Sequence, residues 1–365
     1  MRWLLARLLA RIGERTRDYY FINEHRKRKG AFTRNRCLTF QKVVYARLDT
    51  VKQSNAIASY NMMRSVFEET PVSRQSFEEA RKNIEYTAFA ELFRDTVQGV
   101  LEEQETKLYK DRYRLLGVDG SLVLLPQSAE LKEVYGKTTP AEGQTFCRLS
   151  ICADLLNDFI FDGEIASFGT GERALAMRHL GTVTCENALF VFDRGYWSED
   201  LVRSICKSGR KLLIRIPSDC VRAVTQSGTA SGNFVYKGIK LRYYKFPLVS
   251  GEMEYLVTNL SVEEVSDSEL KELYALRWGV ETRYNELKNT IGAMRFSGRT
   301  ELIVKQDFFA YLTVMNLIAA AVYDADALLQ EQRKGKSQKC EHKPNKSVAT
   351  NILKTRYLRA SMDFE

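Results

Sequence analysis

The chain has 365 residues, of which 44% are hydrophobic and 28% are charged. It is therefore long and apolar enough to bury a large core, which excludes a disordered chain. Its 55 Lys and Arg outnumber its 46 Asp and Glu, and the net charge of +9 favours a polyanionic partner without identifying one. No stretch approaches the roughly 18 apolar residues of a membrane span, so we expect a soluble protein with no membrane partner.

The first seventeen residues form an Arg-rich amphipathic pattern. That pattern is typical of a transit peptide and also of the first helix of a basic DNA-binding region. The basic residues continue as far as Arg36, beyond the point where a cleavable segment normally ends, which favours the DNA-binding interpretation.

Residues 1 to about 105 show the apolar spacing of helices. The segments FQKVVYARLD, SRQSFEEARKNI and TAFAELFRDTVQGVLEEQE place apolar residues three and four positions apart. Ser73 or Ser76 is expected to cap a helix that begins near Phe77, with Glu79 completing a capping box on Ser76. This region is predicted to be an all-α N-terminal DNA-binding domain.

From residue 110 onward the apolar period shortens from about 3.6 to about 2 residues. The runs RLLGVDGSLVLL, FCRLSICADLLNDFIFDGEIA, ALFVFDRG and KLLIRI predict strands, with LLND as a hairpin turn. Two helices are predicted between them, in ERALAMRHL and in WSEDLVRSICKSG, where Gly209 follows the helix end. This order of three strands, helix, strand, helix and strand is that of a ribonuclease-H-like sheet.

The later segments complete the predicted domain organisation. A β-rich insertion is expected at about 217–262, before a long helix that begins near Ser266 or Asp267. The basic stretch 333–346 is either a loop that contacts DNA or a solvated linker. We therefore predict a mixed α/β chain with three parts: a helical domain at 1–105, a catalytic core at 110–330, and a basic loop with a helical extension at 331–365.

The cysteines and histidines show no spacing typical of a metal site. The seven cysteines are odd in number and include no C-x-x-C pair, which favours reduced cytoplasmic thiols. Cys147 and Cys152 are five residues apart in a strand-like run, so they point to opposite faces and are expected to be buried small hydrophobic residues. The three histidines are expected to be incidental: His25, His179 and His342.

Two acids each end a predicted buried strand. Asp119 closes the run LLGVD and precedes Gly120, and Asp193 closes ALFVFD and precedes Arg194. Burial of an unpaired carboxylate costs several kcal/mol. A divalent cation held by both acids therefore explains the pair better than two independent turn residues do.

A third acid lies on the predicted helix ELYALRWGVETRYNELKNTIG. Apolar residues such as Leu273, Leu276 and Val280 form one face, which is expected to pack on the sheet. The adjoining edge leaves two interpretations open, a catalytic acid between two cations or an ordinary salt-bridged surface. At about 100° per residue, that edge holds four residues at intervals of 3, 4 and 7 positions: Tyr274, Arg277, Glu281 and Lys288.

These residues carry a resemblance to a known family. The chain resembles bacterial cut-and-paste insertion-sequence transposases with a DDE triad, whose signature on the helix of the third acid is Y-x2-R-x3-E-x6-K. The sequence has this spacing from Tyr274 to Lys288, with Asp119 in VDGS and Asp193 in FDRGY. SFEEARKNI and VKQDFFAYLTVMNLI are similar to two further motifs of the family.

The resemblance implies a ribonuclease-H-like fold and a metal-dependent reaction on DNA. Asp119, Asp193 and Glu281 would bind two Mg²⁺ or Mn²⁺ ions, which activate water or a DNA 3′-hydroxyl and stabilise the leaving oxygen. Arg277 and Lys288 would hold DNA phosphates near the ions, with Tyr274 as a further DNA contact.

Three further side chains are candidate DNA contacts. Trp278 and Trp197 are candidates for stacking on an unpaired base at the transposon end. Trp197, which follows DRGY, has the alternative role of covering the first turn of a helix. Arg194 is expected to pair either with a catalytic acid or with a phosphate.

The sequence therefore predicts a DNA transposase that binds the terminal inverted repeats of its insertion sequence and catalyses metal-dependent cleavage and strand transfer. Its expected partners are the double-stranded DNA of the transposon ends and target, and a second copy of the chain in the synaptic complex. Its expected location is the bacterial cytoplasm, in association with the nucleoid. Two alternatives stay open: a nuclease without strand transfer, and an inactive copy, truncated at Glu365, that only binds DNA.

Overall fold

The computed structural model of the protein describes residues 3–34, 37–49, 72–103, 105–136, 143–282, 296–333, 344–346, 348–349 and 353. Lys288, His342 and most of the predicted extension 331–365 lie outside the described residues. Predictions that fall there stay predictions.

The described helices and strands follow the predicted order, apart from two short helices at 129–135 and 222–225. The helices are α1 (Leu4–Arg17), α2 (Tyr19–His25), α3 (Phe40–Asp49), α4 (Arg74–Arg81), α5 (Tyr86–Leu101), α6 (Ala129–Tyr135), α7 (Glu172–Thr182), α8 (Glu199–Lys207), α9 (Arg222–Thr225), α10 (Asp267–Ala275) and α11 (Glu301–Arg333). The strands are β1 (Arg114–Leu124), β2 (Phe146–Asp154), β3 (Ile160–Ser167), β4 (Ala188–Phe192), β5 (Lys211–Arg215), β6 (Ser231–Tyr236), β7 (Ile239–Pro247) and β8 (Met253–Thr258).

The described strands form one eight-stranded sheet in the order β3-β2-β1-β4-β5-β8-β7-β6. β2 and β3 pair antiparallel, whereas β1 pairs parallel with β4 and β4 parallel with β5. Helices α7 and α8 make the connections into β4 and β5. The mixed α/β class and the ribonuclease-H-like order of the core are therefore confirmed.

The predicted β-rich insertion extends this sheet. β8 pairs antiparallel with β5, β7 with β8, and β6 with β7, so the three strands of the insertion continue the core sheet beyond β5. A two-residue turn joins β6 to β7, with φ of 50° at Lys237 and 81° at Gly238. A hairpin turn of this length commonly needs positive φ at both positions, and glycine adopts it without strain.

The chain divides by its contacts into two compact units. One comprises 1–106, 124–146 and 285–365, and the other comprises 107–123 and 147–284. In the first unit, the long helix α11 packs against α5, α1 and α3. The predicted domains follow the chain order, whereas these units group α11 with the N-terminal helices.

A buried ionic cluster joins α3, α4 and α11 within the first unit. Arg47 Nε lies 2.8 Å from Asp307 Oδ1, and Arg81 also donates to Asp307. Arg81 Nε donates to Gln306 Oε1 at 2.7 Å. Burial by itself would raise the pKa of Asp307, but the two guanidinium groups lower it below its usual value. The cluster therefore gives a structural role to SFEEARKNI and VKQDFFAYLTVMNLI, because Arg81 belongs to the first motif and Asp307 to the second.

Helix α11 is apolar enough to pass a test for a membrane span. Among the described residues, the stretch Glu301–Gln332 is the one candidate for a membrane-spanning helix, by length and composition only. Of its most apolar 18 residues, 67% are buried inside the protein. Buried core helices of soluble proteins pass the same test, so this helix is weak evidence for a membrane.

Some local predictions differ from the structure. Helix α4 begins at Arg74 because the Ser73 hydroxyl caps it, accepting the Ser76 N–H at 3.1 Å. The predicted start near Phe77 and the capping box on Ser76 are therefore wrong. Helix α6, between β1 and β2, was not predicted. Other local predictions are confirmed: α10 begins at Asp267, Gly209 follows α8 with φ of 74°, and Cys147 and Cys152 are buried. A capping box between Ser266 and Glu269, which was not predicted, starts α10.

Candidate active site

Asp119 lies where strand β1 emerges from the core. Residues 114–118 are buried, and exposure begins at Asp119. One carboxylate oxygen, Oδ1, accepts the Gly120 N–H at 2.9 Å. The acid is therefore held on a sheet strand at the boundary between the protein interior and solvent.

Asp193 follows the neighbouring parallel strand at the same level. Every residue of β4 is buried, and Gly117 of β1 lies opposite Val191 of β4. Asp119 comes two residues after Gly117, and Asp193 comes two residues after Val191. Asp193 is still extended, with φ −81° and ψ 170°. Because adjacent strands are about 4.8 Å apart, the two predicted acids lie side by side at the same edge of the sheet.

Gly117 allows the segment that carries Glu281 to pack directly on β1. A Cβ atom at Gly117 would lie 2.2 Å from Val280 Cγ2 and 2.9 Å from Leu155 Cδ2, closer than side chains can approach. Val280 is buried and immediately precedes Glu281. The side chain of Val280 therefore packs directly on the main chain of Gly117, where only glycine leaves room, and this contact brings the third acid against the strand of Asp119.

The helix predicted to carry Tyr274, Arg277 and Glu281 on one stripe is interrupted. Helix α10 ends at Ala275, and the chain is helical again at 278–282. Between them, successive N–H groups bond three residues back, as from Val280 to the Arg277 carbonyl at 2.9 Å. The uniform turn of 100° per residue therefore does not hold here. Leu276, predicted on the packed face, is 39% exposed.

Tyr274 and Arg277 each hold one of the acids. Tyr274 Oη donates to Asp193 Oδ1 at 3.0 Å, and Arg277 Nη1 lies 3.0 Å from Glu281 Oε1. Burial and the neighbouring Asp193 raise the pKa of Tyr274, so the phenol is a neutral donor. Burial opposes the charge of Arg277, but Tyr274, Asp193 and Glu281 outweigh it and raise the Arg277 pKa.

Asp119 is in an environment that disfavours a lone negative charge. Burial raises its pKa from 3.8 to about 6, and the carboxylates of Glu281 and Glu172 contribute to the rise, whereas the Gly120 N–H and Arg277 oppose it. Crowded carboxylates at a partly solvated edge are the setting in which a divalent cation is stabilising. All-oxygen carboxylate ligands suit Mg²⁺ and Mn²⁺.

The three acids do not form a closed ligand cluster in this structure. Among the described residues, the group of potential ligands whose atoms all lie within 4.8 Å of one another is Glu24, His25 and Glu91, in the first unit. Asp193 is held by Tyr274, and Glu281 by Arg277. The structure therefore brings the acid-bearing segments together without placing the three carboxylates in ligating contact.

Comparison with known proteins identifies the family. The family model described as "Transposase DDE domain" matches residues 112–317, more than half of the chain. The chain belongs to the DDE transposase family. This confirms the resemblance to DDE transposases, and the family match covers strands β1 to β8 and helix α10.

A solved transposase structure has a similar fold. It is described as "Cryo-EM structure of piggyBac transposase synaptic complex with hairpin DNA", and it is 10% identical to this chain with a TM-score of 0.57. The match covers 97% of this chain and 84% of that one. At this identity the likeness concerns the fold alone. No curated protein matches the chain.

The sequence did not indicate Glu172, a further carboxylate that acts on Asp119. It is the first residue of α7, and Arg148 Nη1 of β2 lies 2.6 Å from its Oε1. A Cβ at Gly120 would lie 3.2 Å from Glu172 Cγ, and one at Gly195 would lie 3.9 Å from its Oε2. Glu172 therefore lies against the backbone that follows both strand acids. In the sequence it was only one residue of a predicted helix.

Arg215 is a second residue that the sequence analysis missed. It is the last residue of β5, the strand next to β4. Its Nη1 lies 3.9 Å from Asp193 Oδ1, and its Nε lies 3.2 Å from Glu254 Oε1. The sequence does hold a signal for this residue. The predicted strand KLLIRI contains Arg215 near its end, and the preceding predicted strand is followed by Asp193.

The remaining predicted DNA contacts differ in their accessibility. Trp278 is 62% exposed, and Arg277 Cζ lies 5.3 Å from its ring centroid. Arg194 is also exposed. Trp197, in contrast, is 3% exposed and its ring centroid lies 5.0 Å from that of Tyr236. Since a stacking residue needs an open face, Trp197 is a packing residue in this structure.

Proposed function

We propose that this DDE transposase binds the terminal inverted repeats of a bacterial insertion sequence and catalyses metal-dependent DNA cleavage and strand transfer. The observation that carries the proposal is the alignment of Asp119 and Asp193 on neighbouring parallel strands, with the Glu281 segment packed on β1 at Gly117. Acids placed on rigid elements at one sheet edge are suited to a reaction that depends on precise charge placement.

Asp119, Asp193 and Glu281 are the proposed ligands of two Mg²⁺ or Mn²⁺ ions. Such ions supply an activated oxygen nucleophile and stabilise the leaving oxygen of an in-line displacement at phosphorus. Tyr274 orients Asp193 through its 3.0 Å hydrogen bond, and Arg277 orients Glu281 at 3.0 Å. Their proposed role is to keep both carboxylates turned toward the sheet edge while the DNA strand is exchanged.

The proposed DNA contacts are cationic and aromatic side chains of the signature and its neighbours. Lys288 is proposed to bind a backbone phosphate. Arg277 and Tyr274 are only 6% and 7% exposed and are paired with Glu281 and Asp193, so their proposed role is to orient these two acids. The exposed ring of Trp278 is suited to stack on an unpaired base. Arg194, which is exposed beside Asp193, is suited to a phosphate contact.

The proposed assembly contains at least two copies of the chain. Two transposon ends have to be cut and joined in concert, which a homodimer bound to both ends and to target DNA accomplishes. The piggyBac structure with the similar fold is a synaptic complex with hairpin DNA, which supports a DNA-bound assembly for this chain. The proposed location is the bacterial cytoplasm, in association with the nucleoid.

The decisive experiment is Mg²⁺-dependent cleavage of a DNA fragment that carries the element's own ends. Wild type is compared with Glu281→Gln, which removes the charge and keeps the size, and with Glu272→Gln, a matched change at an exposed position of α10. We expect wild type and Glu272→Gln to cut at the repeat boundary and Glu281→Gln to lose at least a hundredfold in rate.

A labelled target DNA in the same reaction separates transposition from plain hydrolysis. Joined product would establish strand transfer by a 3′-hydroxyl. Cut ends without joined product would favour a nuclease instead. Specific binding of the ends without cleavage by wild type would contradict the enzymatic proposal and favour a protein that only binds DNA.

A further inference from the structure

Three buried polar residues of the second unit form a continuous series of hydrogen bonds. His179 Nδ1 lies 2.6 Å from Asp162 Oδ2, and His179 Nε2 lies 2.9 Å from Ser150 Oγ. Ser150 Oγ donates to the main-chain carbonyl of Asp119 at 3.2 Å. Ser150 and His179 have no exposed surface, and Asp162 is 7% exposed. The histidine that the sequence leaves without a role is therefore linked to the strand of a proposed catalytic acid.

The order serine, histidine, aspartate is that of a nucleophilic triad, but the burial of Ser150 excludes that activity. A nucleophilic hydroxyl has to reach a substrate, whereas this one is enclosed and directed at the protein main chain. The series of hydrogen bonds ends at the main-chain carbonyl of Asp119. It therefore constrains the position of Asp119.

The hydroxyl group of Ser150 fixes the direction of two of the three hydrogen bonds. Ser150 has one hydroxyl hydrogen, which the bond to the Asp119 carbonyl uses, so Ser150 Oγ accepts from His179 Nε2. The third bond joins His179 Nδ1 and Asp162 Oδ2. Removal of any member leaves a buried polar group without its partner.

Helix α7 supports Asp119 by two routes. His179, in its last turns, acts through Ser150, and Glu172, at its first residue, lies against Gly120. Arg178 Nη1 lies 3.1 Å from Glu164 Oε2, which adds a second polar link between α7 and β3. The main chain at Asp119 and Gly120 is therefore held from β2, β3 and α7 together.

We propose that Ser150, His179 and Asp162 are positioning residues that set the direction of the Asp119 carboxylate toward the divalent ions. This inference rests on the proposed function, because it concerns the metal affinity of that site. The three residues act through the main chain of Asp119 and contact neither DNA nor metal. Loss of these hydrogen bonds should weaken metal binding as well as lower the stability, since outer partners of metal ligands tune affinity by about tenfold or more.

The test compares Ser150→Ala with Thr258→Val in the full chain. Thr258 is also fully buried, and its hydroxyl donates to the Leu212 carbonyl at 2.6 Å across β8 and β5. Both changes remove one buried bond from a hydroxyl to a carbonyl, but only Ser150 is linked to Asp119. Three quantities are measured for each variant. The Mn²⁺ affinity is measured without DNA by electron paramagnetic resonance. The Mg²⁺ concentration for half-maximal cleavage is measured with DNA, and the melting temperature is measured by thermal unfolding.

We expect Ser150→Ala to weaken Mn²⁺ binding about tenfold and to raise the half-maximal Mg²⁺ concentration by a similar factor. Thr258→Val is expected to lower the melting temperature comparably and to leave both metal values unchanged. Asp162→Asn, which keeps an acceptor oxygen for His179, provides a second variant and should weaken Mn²⁺ binding less than Asp162→Ala does.

The outcomes separate this inference from the proposed function. Wild type that binds Mn²⁺ and cleaves DNA, together with a Ser150→Ala variant of equal Mn²⁺ affinity, would overturn the positioning role alone. Equal losses of metal affinity in Ser150→Ala and Thr258→Val would also overturn it, since they indicate a general loss of stability. Wild type that binds no Mn²⁺ and cuts no DNA would overturn both proposals.

Discussion

Asp119 connects the protonation of one side chain to both stability and metal binding. Its pKa is raised from 3.8 to about 6, with burial as the largest cause. Folding therefore favours the protonated acid, and the penalty for ionisation is absent below pH 4 and complete above pH 6. A cation that offsets this penalty binds the ionised form, so metal binding should strengthen as the pH rises through 6.

This predicts an unusual effect for Asp119→Asn in metal-free protein. At pH 8 the variant should be more stable than wild type by up to about 3 kcal/mol, because it lacks the ionisation penalty. The difference should shrink as the pH falls through 6 and vanish near pH 4. Urea unfolding at several pH values measures it. A variant less stable than wild type at pH 8 would show that the Asp119 carboxylate is stabilising without metal.

Metal should reverse the order of stability. Wild type should gain stability from Mn²⁺ at pH 8, since a ligand that binds only the folded state stabilises it. Asp119→Asn should gain little, because it has lost a ligand charge.

At the scale of elements, the site depends on the contact between β1 and the segment that carries Glu281. Sequence periodicity predicted both elements and the acids at their ends, because strand and helix periods are local properties. It did not predict the break at 276–277, where bonds to the third preceding residue replace the regular helix. Nor did it indicate Glu172 or His179, whose partners Arg148 and Ser150 are 24 and 29 residues away in the chain.

Gly117→Ala tests this contact between elements. The new Cβ would meet Val280 at 2.2 Å and should displace the segment of Glu281, at a cost of about 1–3 kcal/mol from overpacking. We expect cleavage of the DNA ends to fall more steeply than the stability does, because the third acid moves away from Asp119.

Gly169→Ala is the matched control for this change. A Cβ at Gly169 would meet nothing within 4 Å, so stability and cleavage should stay near those of wild type. Equal cleavage by Gly117→Ala and Gly169→Ala would contradict the dependence of the site on this close approach. Urea unfolding and the rate of end cleavage are the measurements.

At the scale of the whole molecule, the buried ionic cluster at Asp307 stabilises the fold, whereas the net positive charge is suited to binding DNA. The two motifs that meet at Asp307 lie outside the acid-bearing strands. The buried guanidinium groups of Arg81, from the first motif, and of Arg47, from α3, organise the helices of the first unit. The net charge of +9 favours binding to the negatively charged DNA backbone. Each phosphate that a Lys or Arg neutralises releases condensed counterions, which makes the affinity depend on salt.

Lys288 tests whether the signature cation contributes to that electrostatic binding. Lys288→Ala should weaken binding of the DNA ends and lower the slope of log affinity against log salt by about one unit, as expected for one lost phosphate contact. Lys207→Ala, at the exposed end of α8, provides a matched loss of one positive charge and should leave the slope unchanged. Binding is measured by fluorescence anisotropy from 50 to 200 mM salt, the range in which counterion release is well resolved. If both variants lower the slope equally, the effect belongs to the net charge of the molecule, and Lys288 has no phosphate contact of its own.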